Sequence, residues 1–244
     1  MDNKGKFARD GDRDYTQKRK TLIEINYLET NPYSVLISQG KTKVLCSATT
    51  GNWMPPHVRN SRKGWIGAQY SMLPSSCPER VRRERNNVQG RTREIERMIG
   101  RSLRSVCSLE NLPNESIIVD CDVIQADGGT RCASITGGFV ALYLLLKDLQ
   151  SKAVIMHMPA SNFIAGISAG MVRGAALLDL NSSEDMSAQV DLNLIMSESG
   201  RIAELQATGE ESTFKKSQLN TLIELATEGI KGQIEEQKRA LGLA

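Results

Sequence analysis

The chain has 244 residues, 40% hydrophobic and 24% charged, which is enough to bury a substantial core and too mixed in composition for a disordered tail. No apolar run approaches the roughly 20 residues that span a bilayer, and the first ten residues, with Asp2, Lys4, Lys6, Arg9 and Asp10, lack the apolar centre of a signal peptide, so the expected location is cytoplasmic. Five scattered cysteines (Cys46, Cys77, Cys107, Cys121, Cys132) form no C-x-x-C pair and predict buried free thiols, while two histidines, His57 and His157, exclude an all-histidine zinc centre and argue against a serine or cysteine triad.

In chain order, short strands rich in β-branched and aliphatic residues are expected over 21–27, 33–38 and 43–49, the last two joined by a Gln39-Gly40-Lys41 turn. Residues 51–66, with Gly51, Pro55, Pro56 and Gly64, read as a loop, and a strand follows over 67–73. Ile95, Met98, Ile99, Leu103 and Val106 recur at helical spacing and predict an amphipathic helix over 90–109. Alternation over Ser116–Gln125 predicts a strand, and the almost wholly apolar 134–149 predicts a buried helix. Strands are then expected over 153–158, 163–172 and 175–180. A hairpin over 189–206 turns at Glu198-Ser199-Gly200, and a charged amphipathic helix covers 215–240. Strands followed by helices, twice over and without strict alternation, predict an α+β fold in which mixed β-sheets pack with α-helices. The expected organisation is one compact domain, 1–244, with halves at about 15–150 and 151–244.

Charge is concentrated. Between Arg80 and Arg104 nine arginines face three glutamates, so this stretch carries +6 within a chain of net charge +3. Such a stretch points to a polyanionic partner, or to a solvated helix face.

Three groups of residues carry candidate chemistry. Ala126-Asp127-Gly128-Gly129-Thr130-Arg131 lies between a strand and a helix. Paired glycines allow close approach of backbone amides to an anion, the helix start adds N–H donors, Thr130 a hydroxyl, and Arg131 a fork matched to phosphate oxygens. The same residues also suit an ordinary turn. Gly90-Arg91-Thr92 opens a second helix, making Arg91 a second candidate anion ligand. Asp185 closes a polar turn, whereas Asp191 interrupts an apolar strand, Val190–Leu194. A charge there costs free energy unless it has a partner or a task. Two nearby carboxylates suit Mg²⁺, or one of them suits a general acid, unless both simply face water.

Together these segments resemble the ribonuclease PH family of phosphate-dependent 3′ exoribonucleases over roughly residues 9–230. The resemblance is carried by Gly64-Trp65 with Ala68-Gln69-Tyr70-Ser71-Met72-Leu73-Pro74, by Gly90-Arg91-Thr92-Arg93-Glu94-Ile95 continuing to Arg104, and by the run from Asp120 to Arg131 with Ala133-Ser134-Ile135-Thr136-Gly137. It implies a ribonuclease PH-like fold. It also implies that Arg91, Gly129, Thr130 and Arg131 hold inorganic phosphate as co-substrate, and that Asp185 and Asp191 are the catalytic carboxylates. Arg80, Arg82, Arg83 and Arg85 would contact RNA. The expected substrates are tRNA precursors and other RNA 3′ ends, and the expected assembly is a homohexamer built as a trimer of dimers. Asn181-Ser182 and the stretch Ala207–Glu211 depart from the family pattern beside these residues. Two alternatives to a tRNA-trimming enzyme are a catalytic subunit of an archaeal-type exosome and a catalytically silent RNA-binding ring protein.

Overall fold

The computed structural model describes residues 8–56, 58–61, 63–84, 90–112, 116–210 and 212–243. Burial alternates along β1 (Thr21–Ile25), is almost complete along β2 (Ser34–Gln39) and alternates again along β3 (Thr42–Gly51); with β4 (Trp65–Met72) and β5 (Ser116–Gln125) these strands form a sheet in the order β1-β2-β3-β5-β4. Neighbours are antiparallel except β4 and β5, which run parallel and are connected through α1 (Gly90–Ser105). The 3.6-residue period of Ile95, Met98, Ile99 and Leu103 is the reason α1 forms: it gives the helix one buried stripe.

The second half builds an antiparallel sheet from β6 (Ile164–Val172), β7 (Ala175–Leu178), β8 (Ala188–Ser197) and β9 (Ile202–Gly209), in the order β7-β6-β8-β9. Between the sheets runs α2 (Thr130–Ser151), in contact with β2, β3 and β5 on one side and β6 and β8 on the other. Its length and apolarity would suffice to cross a membrane, but 72% of its most apolar window is buried inside the protein, so here it is the central core helix. Gly137 lets it lie this close to the first sheet, because a Cβ there would stand 2.7 Å from Ile37 and 3.0 Å from the Cys46 sulfur. The last helix, α4 (Lys216–Ala240), lies across the second sheet and buries Leu222, Ala226 and Ile230 against it.

The α+β architecture is as expected, with four local corrections. No strand forms over 153–158: α2 ends at Ser151, Ala153 turns the chain in a left-handed conformation (φ 55°), and the apolar Val154 and Met156 are exposed rather than paired. The turn expected around Asp185 is a short helix, α3 (Ser182–Met186). The helix expected to reach 109 stops at Ser105, and β4 begins two residues early, at Trp65, inside the expected loop.

Candidate active site

Where β5 gives way to α2, Gly128 and Gly129 take left-handed conformations in succession, with φ of 75° and 67°. A side chain on Gly128 would put its Cβ 2.5 Å from the Leu180 carbonyl oxygen, so glycine is required there by contact as well as by torsion. Arg19, buried beneath this turn, donates to the carbonyl oxygens of Asp127 and Gly128, and Thr42 Oγ1 donates to the Gly128 carbonyl at 2.7 Å. The carbonyls are thus tied into the protein, while the first-turn N–H groups of α2 have no intrahelical acceptor.

Arg19 is itself held by Asp179, which is fully buried. The guanidinium donates to Asp179 Oδ1 at 2.6 Å and Oδ2 at 3.1 Å, and the Arg19 backbone N–H donates to Oδ2 at 2.7 Å. Asp179 also raises the Arg19 pKa against the opposing effect of burial. A second buried pair lies alongside: Arg9 donates to both Glu184 oxygens, at 2.7 and 2.9 Å, and to the Leu178 carbonyl at 2.8 Å. Glu184 completes a capping box with Asn181, whose side chain accepts the Glu184 N–H at 2.9 Å. The departure at Asn181 therefore sits on a helix cap that Asn serves well. The backbone N–H of Ser182 donates to Asp127 Oδ1 at 3.2 Å, locking α3 onto the Gly-Gly turn.

Above this floor opens a cleft of about 650 Å³, lined by Arg82, Arg91, Gly128, Gly129, Thr130, Arg131, Asp185 and Asp191 among others. Two helix starts deliver its cations: Arg91, exposed, from α1, and Arg131 from α2, the latter donating to Gln206 Oε1 of β9 at 3.0 Å. The same cleft is lined by the carboxylates, Asp185 from α3 and Asp191 from β8. Asp191 Oδ2 accepts from Asn193 Nδ2 at 3.1 Å, whereas Asp191 Oδ1 is buried and, among the described residues, has no hydrogen-bond partner. Desolvation, and then the neighbouring Asp185 carboxylate, push Asp191 up to about 6. Asp185 is exposed at its tip, yet the cleft wall strips part of its water and raises its carboxyl as well, with Glu210 adding to the effect.

The structure thus brings Arg91, Gly129, Thr130, Arg131, Asp185 and Asp191 into one cleft. Of the four arginines expected to meet RNA, Arg82 lines the cleft, Arg80 and Arg83 are exposed nearby in sequence, and Arg85 falls outside the described residues. The basic stretch is divided in use. Arg104 stacks on the Trp65 ring at 4.1 Å and donates to the Ile66 carbonyl, and Arg101 pairs with Glu204 at 2.8 Å. Sequence reasoning did not find Arg9, Arg19, Asp179 or Glu184, whose partners lie 160 or more residues away.

Residues 17–146 match the sequence description of the 3′ exoribonuclease family, domain 1, and residues 162–229 match its domain 2. The chain is 50% identical over 234 residues to a ribonuclease PH of Bacillus pumilus, covering 95% of this chain and 97% of that one. It is 47% identical over 233 residues to the ribonuclease PH of Bacillus subtilis, covering 94% and 95%. The chain belongs to the 3′ exoribonuclease family. The fold of this exoribonuclease is shared by Rrp46 of rice (TM-score 0.75, 19% identity, covering 94% and 98%) and by the Archaeoglobus fulgidus exosome with RNA bound to the active site (TM-score 0.75, 18% identity, covering 94% and 92%).

Proposed function

We propose that this enzyme shortens tRNA precursors and other RNAs from the 3′ end by phosphorolysis. The observation that carries the reading is the single cleft in which an anion cradle faces a desolvated carboxylate pair. Inorganic phosphate is held by Arg91, Arg131, the Thr130 hydroxyl and the amides at Gly129. One of its oxygens attacks the phosphorus of the last phosphodiester in line. The new P–O bond forms as the bond to the 3′ oxygen breaks, a nucleoside 5′-diphosphate leaves, and the shortened chain's 3′ oxygen takes a proton. Two anions must meet for this to happen, so positioning and charge neutralisation by the two arginines supply most of what the protein contributes.

The carboxylates fit Mg²⁺. Among the described residues no group of three or more acidic, histidine or cysteine side chains is placed to hold a metal ion by itself. Mg²⁺ commonly needs only one or two carboxylates, with water and substrate phosphate completing its shell. Asp191 Oδ1, which has no hydrogen-bond partner among the described residues, is suited to such a cation. Held by Asp185 and Asp191, Mg²⁺ would stabilise negative charge on the departing oxygen.

Arg80, Arg82, Arg83 and Arg85 grip the RNA backbone, so binding weakens as salt rises. The whole chain acts as one catalytic domain in a cytoplasmic homohexamer built as a trimer of dimers. Exposed apolar side chains such as Trp53 and Ile202, and the free cysteines, agree with assembly and with a reducing compartment. Identity near 50% to ribonuclease PH chains, against 17–18% to archaeal exosome chains, disfavours the exosome alternative, and the presence of both aspartates disfavours a silent ring protein. The test is to incubate the protein with a 3′-extended tRNA precursor and Mg²⁺, with and without inorganic phosphate. Diphosphates released only with phosphate support the reading, and monophosphates released without it overturn it.

A further inference from the structure

Tyr70 has no part in the mechanism above, yet its hydroxyl ends inside the site. Its ring belongs to the hydrophobic core at 6% exposure, on β4 opposite Cys121 of β5. The hydroxyl lies 2.9 Å from Thr130 Oγ1 and, among the described residues, is that oxygen's hydrogen-bond partner. The backbone N–H of Tyr70 donates to Glu96 on α1 at 3.3 Å, so one residue touches both helices whose first turns form the cradle.

The geometry leaves open which hydroxyl donates, but chemistry decides it. A phenol is the more acidic donor and, with its lone pair shared with the ring, the poorer acceptor. Tyr70 therefore donates and Thr130 Oγ1 accepts. The threonine's single proton must then point elsewhere, and the space beyond is the cleft that Thr130 lines. Burial raises the Tyr70 pKa, which keeps the phenol protonated across ordinary pH.

We infer that Tyr70 is a positioning residue that fixes the Thr130 hydroxyl as a donor toward the bound phosphate. The core holds the ring, the ring holds the hydroxyl bond, and that bond sets the direction of the Thr130 proton before phosphate arrives. This inference rests on the phosphorolytic reading of the cleft. Without Tyr70 the Thr130 hydroxyl is free to turn back to a protein or water acceptor, and ordering it again costs affinity.

Tyr70→Phe keeps ring and volume and removes one oxygen, so the fold is retained; an unchanged circular dichroism spectrum and melting curve check this. The expected result is a phosphate KM raised severalfold, up to the roughly 10-fold that loss of the whole hydrogen bond to a charged group would give. The RNA KM and kcat should stay within about twofold of the parent, since RNA binding and bond breaking are carried by other groups. Thr130→Val should raise the phosphate KM similarly, Thr130→Ser should preserve it, and Tyr70→Phe with Thr130→Val should be no worse than Thr130→Val alone. An unchanged phosphate KM in Tyr70→Phe overturns the inference, as do additive losses in the double variant or an equal rise in the RNA KM. Titration of the unreacted proteins with inorganic phosphate in a calorimeter reads the same loss without turnover. A parent enzyme that needs no phosphate would instead overturn the phosphorolytic reading itself, which keeps the two failures distinguishable.

Discussion

The start of α2 and the segment around Arg82 both present arginines, but they are built differently. Arg131 stands two residues beyond a glycine pair whose first carbonyl, with that of Asp127 before it, accepts from buried Arg19, which is anchored in turn by buried Asp179. Arg80, Arg82 and Arg83 are exposed and lie outside any helix or strand. The first region is held by buried hydrogen bonds and an ion pair, whereas the second faces solvent. Bond making needs the former, whereas gripping a flexible polyanion needs only charge within reach. Substitutions in the two regions should therefore fail in different ways.

The largest effect is expected at the carboxylates. Asp191→Ala should lower kcat by about 10³-fold or more while RNA binding persists, because the role proposed for the group is at the departing oxygen rather than along the chain. Single-turnover rates and RNA affinity measured side by side check this. Next comes the floor of the cradle: Arg19→Met leaves Asp179 charged in the core without its guanidinium partner, with the Gln39 amide and a backbone N–H still donating to it, and should cost about 3 kcal/mol of stability, read by chemical denaturation. The rim should yield less. Arg82→Ala with Arg83→Ala should weaken binding of full-length tRNA precursor about 10-fold and flatten its salt dependence, while sparing phosphorolysis of very short RNA. Equal loss on both substrates would erase the proposed division between grip and chemistry.

The smallest effects come from pH. With Asp191 pushed up to about 6, its ionised form is disfavoured in the folded state relative to the unfolded chain, where an aspartate titrates near 4. The resulting destabilisation is fully present above pH 6 and gone below about pH 4. Asp191→Asn should therefore raise the melting temperature at pH 7, with the gain shrinking as pH falls through that window. In catalysis, a cation-holding role requires the ionised form, so kcat should rise through about pH 6 and then level. Added Mg²⁺ should move the midpoint lower, since cation and proton compete for the same oxygen.

The residues lining the cleft were legible in the sequence because each sits in a local context with a chemical meaning: Gly128-Gly129-Thr130-Arg131 at a strand-to-helix turn, Arg91 at a helix start, Asp191 in an apolar strand. The resemblance to a known family then supplied their roles. The supporting pairs were not legible, because Arg9 with Glu184 and Arg19 with Asp179 join residues 160 or more positions apart and leave no periodic trace. The short helix bearing Asp185 did leave a signal, since Asn181 followed three residues later by Glu184 is a capping-box pattern. Over 153–158 the signal misled: the β-branched Val154 and Ile155 resemble a strand, but Val154 and Met156 lie on the surface. Tyr70 was read as part of a strand and of a segment that carries the family resemblance, and the contact of its hydroxyl with Thr130 is visible only in three dimensions.

The most direct test of the cleft's assignment traces atoms through the reaction. Supplied with radiolabelled inorganic phosphate and a tRNA precursor in heavy-oxygen water, the enzyme should place the label in the released nucleoside diphosphates and incorporate no solvent oxygen into them. Unlabelled monophosphates carrying solvent oxygen would mean that water, rather than phosphate, attacks from the cradle of Arg91, Thr130 and Arg131, and would contradict the account.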